Sequence, residues 1–237
     1  MRALNDPALV REQYADEEDL RARKAIYATA EGPDARELAF AAVAEVAPAT
    51  VLEVGGGEGE LAERIVRQLS AELVLVDQSE RMVEISRSRG LNARVADVQS
   101  LPFADESFDC TVAAWMLYHA ADVGLAISEL ARVTRPGGRL VAVTNGAGHL
   151  AELRELAGEA GWWTGMPFSR ENGPEQLARS FSHVEARHAD GWVSIPDDDT
   201  ILAYLRSMSR VSPPTELPPH ELPFRVQRKP TVFVATK

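Results

Sequence analysis

The densest chemistry in the chain is the run Glu53-Val54-Gly55-Gly56-Gly57-Glu58-Gly59-Glu60. Four glycines in five positions let a backbone turn tightly and come close to a ligand. The spacing is G-x-G-x-G, at Gly55, Gly57 and Gly59, and Glu60 stands where a dinucleotide fingerprint has its last glycine. A pyrophosphate wants bare N–H groups and a positive helix end. Here Glu53, Glu58 and Glu60 surround the turn instead. Unit charges about 4 Å apart at an effective dielectric near 20 interact by roughly 4 kcal/mol, so a carboxylate facing a phosphate is costly. The bland alternative is a tight strand-to-helix turn with no ligand.

Further acids follow at useful positions. Asp77 lies 22 residues past Gly55, near the spacing at which an acid accepts hydrogen bonds from ribose hydroxyls. Asp97, in Ala96-Asp97-Val98, suits an adenine amino group. S-adenosylmethionine combines ribose and adenine with a sulfonium, an ammonium and one carboxylate, and it carries no phosphate, so an acidic rim favours it. Tyr118 and His119 are the nearest candidates for a base, since an unperturbed histidine titrates in the useful range. The alternative for His119 is a structural histidine, and for Tyr118 a core or pocket-wall aromatic.

These residues need elements to hold them. Short apolar runs at Val51–Val54, Leu73–Val76, Ala93–Val95, Cys110–Ala114 and Leu140–Thr144 read as strands. Helical spacing joins them at Glu60–Leu69, Glu80–Ser88 and Val123–Val133, with Arg135-Pro136-Gly137-Gly138 as a turn. Nearly continuous apolar strands alternating with helices imply a parallel sheet covered on both faces. Residues 1–30 read as one or two polar helices, and Pro33 opens another that runs to about Val46. Further on, His149–Ala160, Pro174–Phe181 and Asp197–Ser209 read as helices, and Val184–Ile195 and Thr231–Ala235 as strands. Five prolines in Ser212–Pro223 mark a loop.

Composition closes off other classes. A formal net charge of -11 argues against nucleic acid as substrate. No stretch approaches the roughly 18 apolar residues of a membrane span, and Met1–Lys24 lacks the apolar core of a secretory signal, so a cytoplasmic address is expected. The lone Cys110 forms no internal disulfide and reads as a buried structural thiol. No His-Glu-x-x-His spacing occurs among His149, His183, His188 and His220, so no metal site is expected.

Val51–Leu61, Leu75–Met82, Asp97 with Leu101-Pro102-Phe103, Phe108-Asp109 and Arg135-Pro136-Gly137-Gly138 follow a familiar order. That order resembles the class I methyltransferases, and more narrowly the bacterial group called methyltransferase type 11. The resemblance is close over about residues 48–146 and loose over 8–27 and 144–205. Gly56 departs from it, where cysteine or proline is commoner, and Glu53 stands where aspartate is common. It implies a Rossmann-like, doubly wound α/β fold. The seven-stranded, mostly parallel sheet has an antiparallel last strand, a helical lid over residues 1–47, a core over 48–146 and an insertion from 147 before the last strand. It also implies that Gly55 and Gly57 approach the methionyl part and that Asp77 binds the ribose. Gln78 and Met82 would flank the adenine, Asp97 and the Val98 amide would read its edge, and Ala114 would lie near the ammonium. Tyr14 would close the site and Arg23 would meet the methionyl carboxylate. The lid would be anchored by Tyr14, Leu20 and Tyr27, and Trp162 and Trp163 would line an acceptor pocket; the alternative for Tyr14 and Arg23 is a solvated helix face, and for the two tryptophans packing under the insertion. The activity implied is methyl transfer from S-adenosylmethionine to an oxygen, nitrogen or carbon of a small molecule. The alternative is a non-catalytic module of the same fold, kept for binding or regulation.

Overall fold

β1, Thr50–Val54, is buried at nearly every position because both of its faces are covered. Val51 packs into a cluster with Ile65, Leu75 and Val143, while its neighbour Leu52 packs with Leu117, Ile127 and Phe233. Successive side chains of a strand point to opposite faces, so these two clusters are the two sides of one sheet. The computed structural model describes residues 17–158, 165–208 and 216–237.

The sheet contains β1, β2 (Glu72–Asp77), β3 (Ala93–Val95), β4 (Phe108–Ala114), β5 (Thr134–Asn145), β6 (His183–His188) and β9 (Pro230–Thr236). Their order is β3-β2-β1-β4-β5-β9-β6. β9 runs antiparallel to both β5 and β6, and the other pairings are parallel. The expected seven strands and antiparallel last strand are therefore present. The strand order reverses at β1, between β2 and β4, which is where open sheets of this kind leave a crevice beyond the strand ends.

The helices are α1 (Glu17–Ala25), α2 (Ala35–Ala44), α3 (Glu60–Leu69), α4 (Glu80–Ser88) and α5 (Val123–Val133), then α6 (Ala151–Leu156), α7 (Gly173–Leu177) and α8 (Asp198–Ser207). β7 (Gly191–Ile195) and β8 (Phe224–Arg228) form a separate antiparallel ribbon. A third apolar cluster lies under this ribbon. It joins Ile26 of the N-terminal segment to Leu150, Ile201, Leu205 and Val226. The N-terminal segment and the insertion thus share one core and make one cap.

Several boundaries differ from the sequence reading. Val184–Ile195 is not one strand, for it breaks at Ala189-Asp190 into β6 of the main sheet and β7 of the ribbon. α2 starts after Asp34, whose carboxylate accepts from the Arg36 amide at 2.8 Å, and Pro33 lies outside it. The Arg135–Gly138 turn is instead a bulge inside β5, where the register jumps from Phe108↔Thr134 to Cys110↔Arg139. α6 and α7 are shorter than expected, and Ala160 and Ser209 lie outside the described residues. β8 was not anticipated at all. Cys110 is buried, as expected, and burial pushes its thiol up to about 12. Among the described residues, no helix is long and apolar enough to cross a membrane, and no group of histidines, cysteines and carboxylates is placed to hold a metal.

Candidate active site

A cleft of about 890 Å³ opens beyond the ends of β1, β2 and β4. The glycine turn forms one wall. Gly55 sits at φ +62°, and a Cβ there would lie 2.6 Å from the Met116 Cβ, so only glycine fits without displacing that side chain. Gly57, at φ +54°, faces open space. Three of the glycine amides are already engaged. Gly55 donates to the Val76 carbonyl at 2.7 Å, Gly59 to the Gly56 carbonyl at 2.9 Å, and Gly57 to Asp77 Oδ2 at 3.0 Å. The loop therefore does not present the row of bare amides that a pyrophosphate needs.

Asp77 ends β2 and also accepts from the Ser79 amide through Oδ1, at 2.9 Å. Burial raises its pKa, and the backbone donors Ser79, Gly57 and Gln78 oppose the rise. Glu53, at the end of β1, is buried beneath the turn. Burial, with Asp77 nearby, raises its carboxyl to about 8, so it is mainly protonated at neutral pH. Its Oε2 is buried without a hydrogen-bond partner. Glu58 and Glu60 both meet Lys24 from α1, with Nζ 2.5 Å from Glu58 Oε2 and 2.8 Å from Glu60 Oε1. The acidic rim is thus less negative than its composition suggests. What opposes a phosphate here is the engaged backbone more than bare charge.

The cleft brings together Glu53, Gly55, Gly57, Asp77, Gln78, Met82, Val98, Ala114 and His119 of the residues expected from sequence. Asp97 does not join them. It is exposed, and its Oδ1 accepts from the Gln99 amide at 2.9 Å, closing a turn that leaves Val98 on the cleft wall. Arg23 and Tyr118 line a second pocket, and Tyr14, Trp162 and Trp163 lie outside the described residues.

This second pocket, of about 380 Å³, lies between the strand ends and the cap. Trp115, His119, Asp34, Arg36 and Lys24 border both spaces, so the two adjoin. Trp115 follows β4 at φ +54°, a strained conformation for a bulky residue. Its indole donates to Asn145 Oδ1 at 3.3 Å. His119 closes a 3-10 turn, Leu117–His119, with its ring edge-on to Tyr118 at 4.5 Å.

The cap contributes Tyr27, His149, Tyr204 and Arg228, which sequence reasoning did not assign to the site. The Lys229 amide donates to His149 Nδ1 at 2.9 Å. A backbone N–H only donates, so neutral His149 carries its proton on Nε2. That proton goes to the Tyr27 hydroxyl oxygen at 3.0 Å, which leaves Tyr27 its own proton to donate elsewhere. Burial, helped by Arg154, Arg228 and Arg170, lowers His149 to about 3, so the ring stays neutral. No local motif announces these residues, because they come from four separate elements.

Residues 52–142 match a family described as a methyltransferase domain. A ubiquinone/menaquinone biosynthesis C-methyltransferase of Saccharophagus degradans is 37% identical over 101 residues, 38% of this chain and 41% of that protein. A malonyl-[acyl-carrier protein] O-methyltransferase of Methylococcus capsulatus is 38% identical over 113 residues, 45% of this chain and 41% of that protein. The chain thus spans about two fifths of the length of these curated relatives. A solved SAM-dependent methyltransferase from Thermotoga maritima superposes with a TM-score of 0.61 at 20% identity, covering 96% of this chain and 98% of that one, which speaks for the fold. The fold is a Rossmann-like α/β sheet, and the matched segment supplies the strands and the glycine turn around its cleft. Over residues 52–142 the chain is similar to methyltransferase domains, and its fold is that of solved S-adenosylmethionine-dependent methyltransferases.

Proposed function

We propose that this protein transfers the methyl group of S-adenosylmethionine to an oxygen, nitrogen or carbon atom of a small-molecule acceptor. The observation that carries the reading is the cleft wall made by the glycine turn and Asp77, inside the segment that matches the methyltransferase domain. The residues present fit that cofactor. Gly57 faces open space, a buried Glu53 oxygen lies unpartnered under the turn, with the Glu53 carboxyl carbon against Gly56, and the volume is within the range of about 300–1,000 Å³ usual for small-molecule sites.

When bound, the cofactor supplies a methyl group already activated by its sulfonium. The work left to the protein is largely positioning. Asp77 offers carboxylate oxygens to ribose hydroxyls while holding the Gly57 amide in place. Met82 and Val98 make apolar walls for the base, and Gln78 lies at its rim. Ala114 and the Glu53 carboxyl are the groups nearest the methionyl ammonium in this reading. His119 borders both spaces, which suits a group that takes a proton from the acceptor when the acceptor must lose one. Tyr118 lies on the acceptor side.

The test uses methyl-labelled S-adenosylmethionine with fractionated small metabolites as acceptors. Label should move into a small-molecule fraction with this protein and not with its Asp77→Ala variant. Cofactor binding with no transfer to any fraction would favour the non-catalytic module.

A further inference from the structure

We infer that the smaller pocket selects an acceptor bearing a carboxylate or phosphate group, with Arg36 and Arg228 supplying positive charge and Tyr27 a hydroxyl donor. This deepens the methyltransferase reading and rests on it. The chain carries a net charge of -11, yet Arg23, Lys24, Arg36 and Arg228 line this pocket and Asp34 is the one carboxylate among its described lining residues.

Arg228 is the unusual member. It is 6% exposed, and its hydrogen bonds run to backbone carbonyls: Glu31 and Pro33 from Nη2, at 2.9 and 2.8 Å, Glu31 again from Nε at 3.3 Å, and Ala189 from Nη1 at 3.4 Å. It forms no salt bridge among the described residues, because the Glu31 side chain turns to Arg225. Carbonyl dipoles hold the guanidinium in place but leave its unit charge uncancelled. A buried cation is costly unless an anion meets it, so the fold maintains a positive floor that an acceptor's negative group would neutralise. Four of its five N–H groups are taken by carbonyls, so what Arg228 offers an oxyanion is its charge rather than a bidentate fork.

Three further observations agree. Arg36 borders both the cleft and this pocket, is exposed, and makes no side-chain ion pair among the described residues. The positive field is also felt at the floor, for Arg154, Arg228 and Arg170 all disfavour protonation of His149. The fixed His149 tautomer turns Tyr27 into a donor, which again suits an oxyanion.

The test is calorimetry on the full chain saturated with S-adenosylhomocysteine, so that the cofactor's own carboxylate no longer competes. The probes are benzoate, phenyl phosphate, benzamide and benzylamine. The two anions should bind saturably at millimolar concentration, at least about tenfold more tightly than the amide or the amine, and the ratio between them tells carboxylate from phosphate. Arg36→Gln, at an exposed position, should weaken the anions about tenfold. Arg228→Gln should weaken them further where circular dichroism shows it folded. Equal binding of benzoate and benzamide, no anion binding, or an unchanged affinity in Arg36→Gln would overturn the inference while leaving the methyltransferase reading intact. Failure of S-adenosylhomocysteine itself to bind would overturn that reading, and this inference with it.

Discussion

Glu53 and Asp77 end adjacent strands, but the protein treats them differently. Asp77 takes two backbone amides, so it shapes the turn and keeps lone pairs for a ligand. Charge-assisted bonds of this kind contribute roughly 1.5–3 kcal/mol each, and a tenfold affinity change is about 1.4 kcal/mol. Asp77→Ala should therefore weaken S-adenosylhomocysteine at least about tenfold, with Asp77→Asn in between, and isothermal titration reads both. An unchanged dissociation constant in Asp77→Ala would remove Asp77 from the site. Glu53 is held mainly uncharged, with a folded pKa raised to about 8 from 4.5. Between those values the unfolded chain has lost the proton and the native chain keeps it, so stability falls as pH rises, by up to about 1.4 kcal/mol per pH unit. The contribution is fully present below about pH 4.5 and is lost as pH passes 8. Glu53→Gln lacks this loss. Denaturant unfolding at pH 6 and pH 8.5 should show wild type losing ground to the variant, and parallel profiles would mean Glu53 is ionised in the fold. Both acids were legible in the sequence, because each directly follows an apolar run. Asp97 follows one too, yet its side chain closes a local turn, a choice that spacing does not encode.

At the scale of elements, the N-terminal segment expected to form a lid has two different parts. Ile26 is 1% exposed and belongs to the cap core, Tyr27 is bonded to His149, and the Thr29 hydroxyl donates to the Ser194 carbonyl at 2.7 Å. α1, by contrast, is rich in charge, and its Lys24 reaches Glu58 and Glu60 through ion pairs that are partly exposed and individually weak. Tyr27 is thus a structural anchor, whereas the Leu20 side chain and Tyr14 lie outside the described residues. Hydrogen exchange should find the amides of residues 26–31 protected with or without S-adenosylhomocysteine, and those of 17–24 protected mainly with it. A closed lid would keep water from the sulfonium. Equal protection of 17–24 in both states would make α1 a fixed helix. The cap was poorly legible for a physical reason. β7 and β8 bury alternate residues only, and β8 is Phe-Arg-Val-Gln-Arg, whose buried Arg228 breaks the apolar pattern that marks a strand. The parallel strands β1, β2 and β4 carry dense apolar runs, which is why their positions could be read closely.

For the molecule as a whole, a sheet with seven strands and two apolar faces supplies the rigid platform, and a cap built from both ends of the chain closes over the strand ends. The order reversal at β1 places the glycine turn, Asp77 and Ala114 around one cleft, and the cap adds the second pocket beside it. That division suits a reaction between two bound molecules, with a nucleoside in the cleft and an acceptor under the cap. The nature of the nucleoside decides the account, since a glycine turn after β1 is shared with dinucleotide-binding proteins. Calorimetry of the full chain with S-adenosylmethionine and, separately, with NAD and NADP tests it most directly. Micromolar binding of the sulfonium and none of the dinucleotides is the expected result, because the Gly55, Gly57 and Gly59 amides are engaged and Glu60 stands at the helix start. Micromolar binding of a dinucleotide with none of S-adenosylmethionine would contradict it.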